Sequence, residues 1–176
     1  MSIVLDVLKR HSVLHAPPGK PFILKSGAES MHYVDVRLTA LTSRGLSVLA
    51  DQLFLNMVNL NLRPKRIAGV ALGGCPLATG VSLQSRIDAL YVRSEAKDHG
   101  TGKLVEGLFD PGDTVVLCED VITSGKSTLN AIEALRSVGL NVIGVLAILD
   151  REQGGAALIK KECQFASLVT LKELLE

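Results

Sequence analysis

The sequence predicts an α/β fold, a central parallel sheet flanked by helices on both faces, with a small extra lobe near the N-terminus. Three observations carry this. Short apolar runs alternate with stretches of helical period. The runs Ile67 to Leu72, Ala89 to Val92, Thr114 to Cys118 and Val142 to Leu149 are apolar at consecutive positions, as strands covered on both faces are. Every unusual loop follows one of these runs, and right-handed crossovers bring such strand ends to one edge.

The elements follow in order. Ile3, Val4, Val7 and Leu8 share one helical face within residues 2–11, with Asp6, Lys9 and Arg10 elsewhere. Ala16-Pro17-Pro18-Gly19 breaks the chain. Phe22 to Leu24 is a short apolar run, Lys25-Ser26-Gly27 turns, and Tyr33-Val34-Asp35-Val36-Arg37 alternates like a strand. Together these form a hairpin-like insertion ahead of the parallel core. From Leu41 the period becomes helical through Leu46, Leu49, Ala50, Leu53, Met57 and Val58, and the helix is expected to stop before Arg63-Pro64. After the run ending at Leu72, Gly73-Gly74-Cys75-Pro76 predicts a loop, with a helix from about Leu77 to Ser85. Ser94 to Gly107 is polar. A helix from near Ser127 to Val138-Gly139, the strand Val142 to Leu149, a last αβ unit over 155–169 and Leu171 to Leu175 complete the chain.

The 176 residues suit one domain, and with 47% hydrophobic residues and no Trp the core must be aliphatic. A net charge of +1 gives no general electrostatic case for nucleic acid. No apolar stretch approaches the roughly 18 residues of a membrane span. Cys75, Cys118 and Cys163 are odd in number and widely spaced, without metal-ligand spacing. A cytoplasmic, reducing compartment is expected.

Thr114 to Lys126, TVVLCEDVITSGK, is the stretch around which the chemistry is organised. A buried strand runs into the carboxylates Glu119 and Asp120. A small hydroxyl-rich turn, Thr123-Ser124-Gly125, and a helix N-terminus follow. The carboxyl end of a strand followed by a helix N-terminus is where α/β sheets bind phosphates. Two acids beside an anion site require a partner that is cationic or carries hydroxyls. A ribose with its phosphates and a divalent metal meets both demands. The GxxxxGK[ST] spacing of a Walker A loop is absent.

Three further segments each allow two readings. Gly73-Gly74 permits close backbone approach to a ligand, or is simply a tight turn. Arg93 to Lys103 is either a solvated surface loop or a closing one, in which Arg93, Lys97 and His99 cap charge developing on a leaving diphosphate. Arg151 pairs with Asp150 or Glu152 at a helix start on its residues alone, and binding a carboxylate through its planar fork is what a resemblance to a known family implies.

EDVITSG resembles the phosphoribosyl-diphosphate (PRPP) signature of type I phosphoribosyltransferases. LKSGAES with Tyr33, RSEAKDHGTG followed by Val105-Glu106-Gly107, and Leu149-Asp150-Arg151-Glu152-Gln153-Gly154-Gly155 resemble orotate phosphoribosyltransferases. The four motifs occur in that family's order across roughly the whole chain. The resemblance implies the type I fold, with residues from about 1 to 40 contributing a small hood lobe. It implies transfer of the phosphoribosyl group from PRPP to orotate, giving orotidine 5′-monophosphate and pyrophosphate. Mg²⁺ would be held mainly through PRPP rather than by direct protein ligands. It also implies a homodimer whose 93–107 loop is shared across subunits.

Carried over by position, Lys25 would contact PRPP or orotate, and Arg93, Lys97 and His99 the diphosphate. Glu119 and Asp120 would hold the ribose hydroxyls. The run Val121, Ile122, Thr123, Ser124, Gly125, Lys126, Ser127 and Thr128 would wrap the 5′-phosphate. Thr123 and Arg151 would meet orotate, and Gly73-Gly74 would form the pyrophosphate loop. Lys97, His99 and Asp120 are the expected catalytic residues. The chain departs from the family pattern at Ser94, where a second basic residue is common, at Gly73, often lysine, and at Lys126, often small. Two other readings are a purine-base phosphoribosyltransferase and a non-catalytic PRPP-binding regulator. Arg151 disfavours the first, because a purine has no carboxylate. The second usually needs an output module, and no helix-turn-helix segment is apparent.

Overall fold

In the computed structural model, which describes residues 2–23, 27, 29–93 and 103–176, the apolar runs form one six-stranded sheet. The chain begins with α1 (Ile3–His11), whose Val4 and Leu8 are buried. Four short strands follow: β1 (Val13–His15), β2 (Phe22–Ile23), β3 (Glu29–Ser30) and β4 (His32–Val34). They pair antiparallel as β1 with β4 and β2 with β3, apart from the main sheet. The alternating run does not continue as a strand through Arg37. Asp35 ends it, because its carboxylate accepts the backbone N–H of Arg37 at 3.0 Å and starts α2 (Arg37–Ala40).

The long helix α3 (Ser43–Asn59) is capped by Thr42, whose hydroxyl accepts from the Gly45 N–H. Next come β5 (Arg66–Val70), α4 (Gly74–Ser85), β6 (Ala89–Val92) and β7 (Val105–Glu106). Two expectations are corrected here. The first core strand stops at Val70, short of Leu72, and its helix starts at Gly74 rather than near Leu77. Pro76 lies in the first turn of α4, where its missing N–H costs nothing. The chain ends with β8 (Thr114–Ile122), α5 (Lys126–Ser137), β9 (Asn141–Asp150), α6 (Gly155–Ile159), β10 (Gln164–Thr170) and α7 (Leu171–Leu175). The central strand β8 runs past Cys118 and carries both acids within it, since Glu119 to Ile122 still pair with β9.

Strand order is β10-β9-β8-β5-β6-β7, parallel throughout except for the β6–β7 pair at the edge. The sheet separates two aliphatic cores. Val116 and Cys118 of β8 face one, with Leu8, Leu49, Leu77 and Leu174 from α1, α3, α4 and α7. Val115 and Leu117 face the other, with Ile132, Leu135 and Ile159 from α5 and α6. Both faces of β8 are therefore buried, which explains its unbroken apolar run. Chain direction across the sheet reverses between β5 and β8: β6 lies on one side, β9 and β10 on the other. Ligands of open α/β sheets sit beyond the carboxyl ends of strands at such a reversal.

Leu8 is fully buried against elements from both ends of the chain. Leu8→Ala should therefore cost about 2–5 kcal/mol, read as a lower urea midpoint at unchanged slope.

Candidate active site

The turns that leave β5, β8 and β9 meet at this reversal. Their approach is closer than side chains would permit. A Cβ on Gly74 would run into the Cys118 carbonyl, and one on Gly73 into the Asp120 carboxylate. On the other flank, a Cβ on Gly155 would strike the Thr123 carbonyl and the Gly125 nitrogen. Two backbone bonds lock that flank: Arg151 N–H to the Ile122 carbonyl at 2.9 Å, and Gly155 N–H to the Thr123 carbonyl at 3.0 Å.

Gly125 sits at φ +77° as the N-cap of α5, and no side chain caps the helix. A 12-residue helix thus opens onto the turn without side-chain partners for its first N–H groups. Lys126 starts the helix and adds positive charge. Thr123 to Ser127 form one wall of a cleft of about 590 Å³, and Tyr33 to Arg37 form the facing wall. Asp120, Val121, Arg151 and Gln153 complete it. Lys126 and Ser127 also border a second concavity of about 580 Å³, with Arg93 and Leu104 on its far side. Arg93 itself pairs with Glu106 at 3.5 Å.

The acidic pair divides its labour. Asp120 borders the cleft, and its Oδ1 accepts the Val121 N–H at 2.9 Å. Glu119 points the other way and is 4% exposed. Its Oε2 accepts the Thr128 hydroxyl at 3.0 Å, tying β8 to the first turn of α5. Burial pushes the Glu119 carboxyl well above the usual range, and the neighbouring Asp120 charge adds to this. The nearby thiols are held protonated. Burial raises Cys118 to about 12, and burial followed by the Glu119 charge raises Cys75. Neither presents a thiolate nucleophile.

Of the residues singled out from the sequence, Gly73, Asp120, Val121, Thr123 to Ser127 and Arg151 gather at this edge. Glu119, Ile122 and Thr128 stand behind it: Ile122 belongs to the α5-side core, and Thr128 is buried on Glu119. Lys25, Lys97 and His99 lie outside the described residues. Arg151 is half-buried, and its Nε is buried without a hydrogen-bond partner among the described residues. Its backbone is fixed while its fork stays available.

Sequence reasoning missed Asp35 and Arg37. Arg37 donates from Nε and Nη2 to the two oxygens of Asp35, both at 2.8 Å, a bidentate pair on the cleft wall. The Arg37 bond holds the Asp35 carboxyl below its usual range, and Asp35 in turn raises the guanidinium. The signal was legible as Asp followed two residues later by Arg at a helix start, but the alternating apolar residues around it suggested a strand.

No cluster of three or more His, Cys, Asp or Glu able to hold a metal occurs among the described residues. No helix among them is long and apolar enough to cross a membrane.

The raised Glu119 carboxyl has a pH consequence. Between its ordinary and its raised value the folded chain holds a proton that the unfolded chain has lost, so stability falls as pH rises through that window. Glu119→Gln keeps the shape and removes the titration. The variant should show a flatter decline of Tm than the native chain from about pH 5 to about pH 8, measured by calorimetry; parallel profiles would contradict a buried, titrating Glu119.

The chain is similar to known proteins in sequence and in fold. The phosphoribosyl transferase domain family matches residues 41–169. The orotate phosphoribosyltransferase of Sorangium cellulosum is 46% identical over 148 residues, covering 80% of this chain and 77% of that protein. That of Pyrococcus horikoshii is 40% identical over 154 residues, covering 87% and 83%. The crystal structure of orotate phosphoribosyltransferase from Aeropyrum pernix superposes with a TM-score of 0.85 at 36% identity, over 98% of this chain and 96% of that one. The Mycobacterium tuberculosis enzyme in complex with PRPP gives 0.79 at 28% identity, over 98% and 97%. With kinship over most of its length and the same sheet beneath it, this chain belongs to the orotate phosphoribosyltransferase family.

Proposed function

We propose that this chain transfers the 5-phosphoribosyl group of PRPP to orotate, giving orotidine 5′-monophosphate and pyrophosphate in pyrimidine biosynthesis. One observation carries the reading to the residues: a helix N-terminus without a side-chain cap, the Asp120 carboxylate, and an arginine whose Nε has no hydrogen-bond partner among the described residues border one cleft. These suit, in turn, a phosphate, a ribose hydroxyl and an anionic base. A purine would leave the Arg151 fork unmatched.

In this reading the turn Val121 to Ser127 grips the 5′-phosphate through backbone N–H groups, with Lys126 adding charge. Thr128 and Glu119 hold that turn from behind. Asp120 holds the ribose hydroxyls, and its negative charge favours the oxocarbenium-like sugar that forms as the diphosphate departs. Arg151 receives the orotate carboxylate, with Thr123 beside it, and so aims the ring nitrogen at the anomeric carbon. Lys25 joins from the hood. Gly73 and Gly74 leave room for the diphosphate, whose charge Arg93, Lys97 and His99 take up.

The donor set fits Mg²⁺ in one way only. Of the two carboxylates at the cleft, Asp35 is taken up by Arg37, and no three-ligand cluster occurs among the described residues, so the ion would be held chiefly by PRPP oxygens, with Asp120 the available protein carboxylate. When bound, it neutralises charge on the leaving diphosphate.

The same reading makes the chain one phosphoribosyltransferase domain, with a hood drawn from about residues 1–40. It acts as a homodimer that shares the 93–107 loop across subunits. Its three free thiols suit a reducing cytoplasm.

The test follows orotate absorbance with PRPP and Mg²⁺, omitting each in turn. Orotate loss should require all three and release pyrophosphate. Turnover with hypoxanthine but none with orotate would replace the reading with a purine enzyme. PRPP binding without turnover on any base would replace it with a regulator. Lys97→Ala should lower turnover about 10²–10³-fold, and Arg151→Gln should raise KM for orotate about 10- to 100-fold. Mixing Lys97→Ala with Arg151→Ala should restore some activity if the loop crosses subunits, and none if each site is built from one chain.

A further inference from the structure

Away from the cleft, the β1–β4 pair carries two histidines directly opposite each other. His15 and His32 are partners in the ladder. The N–H of Ala16 donates to the Met31 carbonyl, and that of Asp35 to the Ser12 carbonyl. Hydrogen-bonded and non-bonded pairs alternate along an antiparallel ladder, so His15–His32 is a non-bonded pair, the kind whose side chains approach most closely. The rings meet edge to face, with centroids 4.9 Å apart and planes at 84°. Their Nδ1 atoms are 3.1 Å apart.

That spacing suits a shared metal ion. Two nitrogens bound at about 2.0–2.1 Å stand about 3.3–3.4 Å apart in a tetrahedron and about 2.9 Å apart at adjacent corners of a square plane. The observed distance lies between the two. In the metal-free pair one Nδ1–H donates to the other Nδ1. Moving that proton to Nε2 of the same ring leaves two Nδ1 lone pairs facing each other, and a tilt of about 40° in the two exposed rings would bring both onto one ion, with no net proton released. The Ser30 hydroxyl donates to the His32 carbonyl at 2.7 Å and accepts its N–H at 3.2 Å, which fixes the backbone beneath one ligand.

We propose that His15 and His32 form a two-histidine site for a divalent transition cation of the imidazole-preferring kind, Ni²⁺, Cu²⁺ or Zn²⁺, with water filling the remaining positions. Val13 and Val34 share the histidines' face and pack against the core, and Tyr33 and Val34 border the cleft while neither histidine does. A bound ion would cross-link the two strands behind Tyr33 without entering the cleft. This rests on the strand pair alone and stands or falls independently of the proposed reaction.

The test titrates Ni²⁺ into the tag-free full chain at about pH 7.5, where imidazole is mainly neutral. Calorimetry is run on the native protein and on H15Q, H32Q and the double variant. One ion per chain should bind with a dissociation constant between about 1 and 100 μM, and each variant should weaken it at least tenfold. Zn²⁺ added to ¹⁵N-labelled native protein should shift the Nδ1 resonances of His15 and His32 together, a readout needing no variant. Equal affinity in the double variant would assign the binding to other groups, the thiols or His11 among them. Unmoved Nδ1 resonances, or native binding weaker than about 1 mM, would equally overturn the site.

Discussion

The structure depends on a spacing constraint at the carboxyl edge of the sheet. Adjacent strands lie about 4.8 Å apart, so the turns that leave β5, β8 and β9 collide unless a backbone gives way. Gly73 and Gly74 yield on one flank of β8, and Gly155 on the other. The segment from Glu119 to Gly125 is thereby clasped between two backbones whose glycines put no side chain of their own into the gaps. A turn held this way keeps its N–H groups aimed without being filled by its own neighbours. Gly73 also leaves the Asp120 carboxylate the place it occupies here.

Behind the turn, Glu119 and Thr128 form a second layer that trades stability for position. A carboxyl at 4% exposure is costly to ionise. Its one side-chain donor is a hydroxyl on the first turn of α5. The bond therefore couples the end of the central strand to the start of the helix whose dipole faces the cleft. A hydrophobic pair there would pack as well but would not fix that helix's register.

Much of the sheet was legible because strands buried on both faces show unbroken apolar runs, and the strand Ala89–Val92 matches what the residues indicated. The boundaries that slipped share a cause. Glu119 and Asp120 look like the end of a strand, yet pairing with β9 carries the strand through them. Gly73-Gly74-Cys75-Pro76 reads as loop, yet packing against Cys118 starts the helix at Gly74. At two residues, β7 is too short to show any period and exists only because β6 offers it an edge. Within the site, the turn and Arg151 were legible from motif spacing. Asp35 and Arg37 were not, because their role comes from a facing wall distant in sequence.

The β6–β7 pairing has an architectural consequence. Val92 pairs with Val105, and the Arg93 N–H donates to the Leu104 carbonyl at 2.9 Å, so both ends of the 94–102 segment are pinned to the sheet. At the chain's ends, α1 and α7 touch, with Leu8 and Leu174 in one core. The two ends of this sequence are thus near enough to be joined by a short linker, and new ends opened within 94–102 would interrupt no described strand or helix. Circular permutation there keeps all six strands of the sheet and changes only whether one segment is tethered at both ends. The described fold thus tolerates a break there, and the demand on 94–102 comes from the roles proposed for Lys97 and His99 rather than from the sheet.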